Sequence, residues 1–373
     1  MLKYFTTGES HGQHMAAILE GMPSGVEIDL GKIDYELSRR QGGYGRGGRQ
    51  KIEKDHVNLI GGVLKGKTTG APVGFLLTNK DFKIDSMPEL FRPRPGHADL
   101  AGSLKYHQGI RPVLERASAR ETVMRVAVGA LCKIFLRSFG VEVVSHVVQI
   151  GAAKLSKPVT LKAEQIREKA AASQVYCVSP ETEKQMVEQV DQARRRKDTL
   201  GGKFEVRVTG LPIGLGSYVH FERKLDGRLA QILMSMQSIK AVEVGEGEAL
   251  GGVFGSAAHD EIFYDTKKGY YRKTNHAGGL EGGMTNGADL VVRATMKPIS
   301  TLGQPLASVN MQTRQPEKAD FERSDICAVP AGSVIGEALV AYTVCDAFLE
   351  KFGGDSVAEI RQNHTHYLKT LRG

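Results

Sequence analysis

Cysteine is scarce. Four residues, Cys132, Cys177, Cys327 and Cys345, stand far apart in a chain of 373, with no Cys-x-x-Cys pair. That excludes a disulfide framework and a cysteine-built zinc site, and it predicts reduced, mostly buried thiols and no metal. Long apolar runs are missing too: none nears the roughly 18 residues of a spanning helix. The opening MLKYFTTGESHG lacks the charged-then-apolar order of a signal peptide. The expectation is a soluble, cytoplasmic protein with no membrane partner. Hydrophobic residues make up 41% and charged residues 25%, which excludes a mainly disordered chain.

Glycine is in excess, 44 of 373 residues, with no collagen-like period. Much backbone must therefore lie in tight turns or close against a ligand, as in a loop-built site. Lys and Arg outnumber Asp and Glu by 50 to 42, a net charge of +8 that suits an anionic partner.

Strand-like runs occupy Val26 to Leu30, His56 to Ile60 and Val73 to Thr78. Ser118-Ala-Arg-Glu121 reads as a capping box opening a helix that carries Val123, Met124, Ala127, Leu131 and Phe135 and stops at Gly140. Val141 to Ile150 follows as a strand. Residues 161–197 hold two charged helical stretches, the second ending in the basic run Arg194 to Lys197, a solvated helix end. Alternation returns in Lys203-Phe-Glu-Val-Arg-Val-Thr-Gly210, then come a helix from Leu225 to Met236, a glycine-dense stretch to Gly287, and a strand from Leu290 to Met296. A last helix runs from near Ser333 to Gly353-Gly354, and residues 355–373 read as a polar C-terminal tail. Strands and long helices outside strict alternation predict an α+β fold. A short echo, Gly21-Met-Pro-Ser-Gly25 against Gly210-Leu-Pro-Ile-Gly214, hints at internal duplication.

Two motifs mislead. Gly61 to Thr68 matches the phosphate-binding loop GxxxxGK[ST], but Pro72 and the strand behind it leave no room for the helix that motif needs, so a hairpin is favoured. Magnesium-dependent ATP binding would be the mark of a phosphotransferase. Arg39-Arg-Gln-Gly-Gly-Tyr-Gly-Arg-Gly-Gly-Arg49 resembles arginine-glycine RNA-binding segments but occurs once, within ordered-looking sequence. Salt-dependent RNA binding would mark that rival; a folded loop presenting Arg40, Arg46 and Arg49 to a small polyanion is favoured.

Three segments carry chemistry together: Gly8-Glu-Ser-His-Gly12; Arg92-Pro-Arg-Pro-Gly-His97-Ala-Asp99 leading to Arg116-Ala-Ser-Ala-Arg120; and Lys297-Pro-Ile-Ser-Thr301 with Arg323-Ser-Asp325. Histidines in polar turns and clustered arginines suit proton transfer beside an anion. With Glu20-Gly-Met-Pro23, Glu115 to Thr122, Gly282 to Gly287 and Arg323 to Gly332, they closely resemble the chorismate synthase family over nearly the whole chain.

The resemblance implies a layered β-α-β sandwich of helices and mainly antiparallel sheets with many active-site loops. It makes residues 1–354 one catalytic domain and implies a homotetramer without nucleic-acid partners. The implied reaction, in the shikimate pathway of aromatic amino acid biosynthesis, is 1,4-elimination of phosphate from 5-enolpyruvylshikimate-3-phosphate to give chorismate, with reduced FMN required but not consumed. NADPH or an external flavin reductase is implied as reductant.

By motif position, the resemblance makes His11 the acid assisting the departing phosphate and His97 the partner of reduced flavin. Asp325 takes the ring proton by way of flavin N5, and Ser10 and Ser118 hold the hydrogen-bond network. Arg40, Arg46, Arg49, Arg94, Arg120 and Arg323 bind substrate anions, the first two also lying where some members engage NADPH. Ser118, Ala119, Gln237, Ser238, Gly282, Lys297, Thr301 and Arg323 are the implied FMN positions, with Arg40 and Arg46. The chain departs from the family at His107, read as peripheral, and at Gln237, where Asn is common.

Overall fold

Two antiparallel sheets with matching strand orders organise the chain, as seen in a computed structural model describing residues 2–47, 54–266, 269–322 and 324–371. The first half runs β1 (Lys3–Thr7), β2 (His14–Glu20), α1 (Leu30–Gln41), β3 (Asn58–Gly61), a hairpin of β4 (Val63–Leu64) and β5 (Lys67–Thr68), and β6 (Val73–Thr78). Helices α2 (Asp99–Tyr106), α3 (Ile110–Ala117) and α4 (Thr122–Arg137) follow. The second half runs β7 (Glu142–Ile150), β8 (Ala153–Lys154), α5 (Ala163–Ala172), α6 (Pro180–Arg195), β9 (Gly202–Thr209), α7 (Leu225–Met234) and β10 (Ile239–Val244). Hairpins β11 (Ile262–Asp265) with β12 (Gly269–Arg272) and β13 (Leu280–Glu281) with β14 (Met284–Thr285) precede β15 (Leu290–Met296), α8 (Val329–Phe352) and α9 (Val357–Thr370).

The sheets are ordered β1-β2-β6-β3 and β10-β15-β9-β7-β8. Reversing the second and leaving out β8 gives β7-β9-β15-β10, the same arrangement. In each half a strand leads to a helix, an edge strand, a hairpin, an inserted central strand and finally a long helix, α4 or α8. The loop echo has the same hydrogen bonds in both halves. Thr68 Oγ1 donates to the Pro23 carbonyl at 2.6 Å and accepts from the Val26 N–H at 2.9 Å. Thr285 Oγ1 donates to the Pro212 carbonyl at 2.7 Å and accepts from the Leu215 N–H at 2.8 Å. The echo therefore marks a repeated structural unit, interrupted in the second half by β8, α5 and α6 between β7 and β9.

Helices α1, α4, α7 and α8 form the layer between the sheets, with α4 crossing α8 so closely that a Cβ on Gly129 would lie 2.4 Å from the Ala338 carbonyl. Helix α8 is long and apolar enough to cross a bilayer by length and composition, but 94% of that stretch is buried, so it is a core helix. All four cysteines are free and buried.

Several local expectations change. Val26 to Leu30 is no strand: Glu27 makes one bridge to Lys67, and Asp29 then caps α1 by accepting from the Lys32 N–H at 3.2 Å. The helix expected from Ser118 is split, because Ser118 caps a short 3₁₀ turn at Ala119–Glu121 between α3 and α4. Its capping box does not close, since Glu121 is held by Arg125 at 3.0 Å and Thr6 at 2.7 Å, and a charged partner outcompetes a backbone amide. Helix α8 starts at Val329, ahead of Ser333, with Pro330 in its first turn. The polar stretch 355–373 is largely helical: Ser356 and Glu359 close a capping box, and Ile360 is buried. Gly61 to Thr68 spans a hairpin with its turn at Lys65 and Gly66, not a strand-to-helix loop.

Candidate active site

The Gly8 to Gly12 loop joins β1 to β2, and Gly8 makes its turn at φ +106°, where a Cβ would strike the His14 carbonyl at 2.4 Å. Its conformation is fixed by the end of α3. The Ser10 N–H donates to the Glu115 carbonyl at 3.1 Å, and the His11 N–H donates to Glu115 Oε2 at 2.8 Å. His11 Nδ1 lies 3.0 Å from both Glu115 carboxylate oxygens. Ser118 Oγ donates to Ser10 Oγ at 3.2 Å.

His97 sits in a turn before α2, with Nδ1 2.5 Å from Asp99 Oδ1. Asp99 also accepts from Arg94 Nε at 2.8 Å. Burial would raise the Asp99 carboxyl, but the hydrogen bonds and charges of His97 and Arg94 hold it far below the ordinary range. Arg94 Nη1 donates to Thr301 Oγ1 at 2.8 Å, while Lys297 Nζ donates to the Gly96 carbonyl at 2.9 Å. The segment after β15 is thereby docked on the His97 turn. Burial, then the charge of Lys240, lowers the Lys297 ammonium below its usual value.

Arg40, at the end of α1, and Arg120, in the 3₁₀ turn, share one buried carboxylate. Arg120 Nη1 donates to Asp55 Oδ2 at 2.9 Å, and Arg40 Nη1 lies 3.7 Å from the same oxygen. Arg40 also donates to Thr122 Oγ1 at 3.0 Å and to the Ala119 carbonyl at 2.8 Å. Burial pulls the Arg40 guanidinium down to about 9 against the pull of Asp55, with Arg120 and Arg46 lowering it further. It remains a cation at neutral pH, in surroundings that an arriving anion would relieve.

Arg46 pairs through Nη1 with Asp325 Oδ2, while the Gly47 N–H donates to Asp325 Oδ1 at 2.6 Å. A cavity of about 180 Å³ beside them is lined by Thr301, Ser324, Asp325, Arg194 and Lys197. The basic run 194–197 is thus partly a cavity wall. Arg49 and Arg323 lie outside the described residues.

The structure brings together Ser10, His11, Arg40, Ser118, Ala119 and Arg120 in one cluster, Arg94, His97, Lys297 and Thr301 in a second, and Arg46 with Asp325 in a third. Gln237 and Ser238 follow the C-terminal end of α7, where the Ser238 carbonyl accepts from the Lys297 N–H at 2.8 Å. Gly282 is not brought to them. It lies in the β13–β14 turn at the other end of α7, across a ten-residue helix of about 15 Å. His107 is exposed, capping α2 at φ 51°, as a peripheral residue would be.

The sequence reading missed Glu115, Asp99, Asp55 and Asn79, whose Oδ1 accepts from Arg120 Nη2 at 2.7 Å. Glu115 and Asp99 stood inside quoted motifs, and a carboxylate two residues from a histidine in a turn was a usable signal. Asp55 had none, because only folding carries it to Arg40 and Arg120.

Comparison with known proteins decides the family. The chorismate synthase family profile matches residues 2–349. Chorismate synthases of Geobacter metallireducens and Carboxydothermus hydrogenoformans are each 50% identical to the chain, over all of it and over 100% and 99% of their own lengths. A crystal structure of chorismate synthase superposes with a TM-score of 0.84 at 39% identity, covering 100% of this chain and 98% of that one. The chain belongs to the chorismate synthase family. It is thus placed among lyases, and the layered α+β arrangement of mainly antiparallel sheets is the fold of that family.

Membership gives the site its frame. Chorismate synthase motifs that lie up to some 300 residues apart in the sequence are the segments that meet here, and the two histidines each present Nδ1 to a buried carboxylate. Among the described residues, the buried polar atoms of this region that lack a hydrogen-bond partner include Arg40 Nη1, Arg46 Nε and Gln237 Oε1. Such atoms are costly unless a ligand meets them, so the residues present fit an anionic substrate and a polar, phosphate-bearing cofactor such as FMN.

Proposed function

We propose that this chain converts 5-enolpyruvylshikimate-3-phosphate to chorismate by 1,4-elimination of phosphate, with reduced FMN bound and not consumed. The observation that supports it most is the Arg40–Asp55–Arg120 cluster meeting the Ser10–His11–Glu115 network at Ser118 to Thr122. The substrate carries two carboxylates and a phosphate. Buried guanidinium forks grip such groups bidentately and hold them out of water.

In this reading Arg40, Arg46, Arg94 and Arg120, with Arg49 and Arg323, orient the anions. His11 gives its proton to the departing phosphate oxygen. Asp325 is the acceptor for the ring proton, which requires the Arg46 and Gly47 contacts to yield at least one carboxylate oxygen to the substrate. Ser118, Ala119, Gln237, Ser238, Lys297 and Thr301 would hold FMN, with Arg323, Arg40 and Arg46 completing the set. When bound, reduced FMN supplies an electron-rich ring beside the substrate. His97, backed by Asp99, offers it a hydrogen bond.

The same reading takes residues 1–354 as the catalytic domain, a homotetramer as the assembly, and NADPH or an external flavin reductase as the reductant. Four free, buried thiols support a reducing, cytoplasmic setting. The test is anaerobic phosphate release from 5-enolpyruvylshikimate-3-phosphate with chemically reduced FMN, followed together with the diene absorbance of chorismate. Both should rise together, and oxidised FMN should give neither. Absence of both signals with reduced FMN would overturn the assignment.

A further inference from the structure

We propose that Glu115 is the positioning residue of the site: it fixes which nitrogen of His11 carries the proton and how the ring is turned, and it ties the His11 loop to the Asp325 loop. This rests on the reading of His11 as the proton donor, and it adds a residue to which no role has been assigned above.

The geometry is specific. Glu115 is the last acidic residue of α3, and its side chain has no exposed surface. It receives three contacts from one residue, the His11 N–H at 2.8 Å and Nδ1 at 3.0 Å from each oxygen, while its own carbonyl accepts from the Ser10 N–H at 3.1 Å. Backbone and ring of His11 are therefore clamped by the same side chain. Burial would raise the Glu115 carboxyl, but hydrogen bonding and charge from His11, then Arg111, bring it below the ordinary value. An ionised carboxylate only accepts, so Nδ1 must be the donor. The proton that can be exchanged with substrate is then the one on Nε2.

Glu115 has a second attachment. Arg111, one turn earlier on α3, lies 3.6 Å from Glu115 Oε1 and places its other nitrogen 3.0 Å from Glu322 Oε1. Glu322 is three residues before Asp325, the proposed acceptor of the ring proton. Arg111 thus bridges Glu115 and Glu322, and through them it ties the proton-donating loop to the proton-accepting loop.

Two measurements test the assignment. In full-length protein labelled with [15N]histidine, long-range proton–nitrogen spectra at alkaline pH, where ordinary imidazole is neutral, report which ring nitrogen is protonated. The His11 signal is identified by its loss in His11→Ala. Protonation at Nδ1 is expected, and protonation at Nε2 in the unmodified protein would overturn the proposal without any Glu115 variant having to fold. In Glu115→Gln the Nδ1–H preference should be lost, kcat should fall about 100-fold with KM changed less than about threefold, and Glu115→Asp should recover part of the rate. In a His11→Ala background Glu115→Gln should cost nothing further, because Glu115 acts through His11. An equal loss in both backgrounds would show a general structural role and overturn it. If the unmodified protein releases no phosphate, the proposed function fails, while the spectrum still decides whether Glu115 sets the His11 tautomer.

Discussion

Arg46 and Asp325 form an ion pair that fastens the loop after α1 to the loop before α8. The neighbouring Gly45 carbonyl accepts from the Ile326 N–H at 2.8 Å, so backbone and side chains hold the same junction. Asp325 is therefore placed by the fold before any ligand arrives.

Asp325→Asn keeps the shape and discards the basicity. It is expected to leave FMN binding within a few fold, read by flavin absorbance, while lowering kcat about 100-fold or more. Loss of binding equal to the loss of rate would make Asp325 a positioning group.

His11→Ala and His97→Ala are each expected to slow turnover about 100-fold in a protein that still folds, with some fall in melting temperature because each leaves a buried carboxylate, Glu115 or Asp99, one partner short. Both side chains stand in loops and contribute no apolar packing to the α4–α8 core. Normal rates in both variants would remove them from the mechanism.

Thr68→Ala and Thr285→Ala test the repeat. Each strips a buried loop of one hydroxyl that donates to a proline carbonyl and accepts a backbone N–H. Each should cost about 1–3 kcal/mol in denaturant unfolding, by similar amounts in the two halves. A neutral result at either position would mean that water replaces the hydroxyl there.

Lys67→Ala is expected to leave turnover unchanged, and the unmodified protein should show no magnesium-dependent ATP binding. Lys67 is a hairpin residue paired with Glu27 at 3.1 Å on the surface. ATP binding lost in the variant would revive the phosphate-loop reading.

Acid should weaken the second sheet through Glu205. Burial would raise this carboxyl, but His146 first, then Arg293 and Arg207, bring it from 4.5 to about 2. The stability it supplies is present in full above about pH 4.5, where the unfolded chain is also ionised, and is lost as pH falls through about 2. Glu205→Gln should flatten the fall in unfolding free energy across that window. An unchanged slope would shift the acid sensitivity to other carboxylates.

The sequence by itself determined the elements whose signal is local. Val73 to Thr78, Leu290 to Met296 and the core residues of α4 announce themselves by apolar pattern, and Pro72 was enough to turn a nucleotide-binding motif into a hairpin. The motif histidines, arginines and Asp325 were read as a set from their resemblance to the chorismate synthase motifs, not from residue type alone. Tertiary structure alone decided what those residues touch. Asp55 meets Arg120 across 65 residues, Glu121 left its expected cap for Arg125 and Thr6, and Glu115 acquired His11 from more than 100 residues away. Periodicity and turn chemistry act over a few residues, whereas a buried charge takes whichever partner the packed sheets and helices bring within about 3 Å, and that choice is made only on folding.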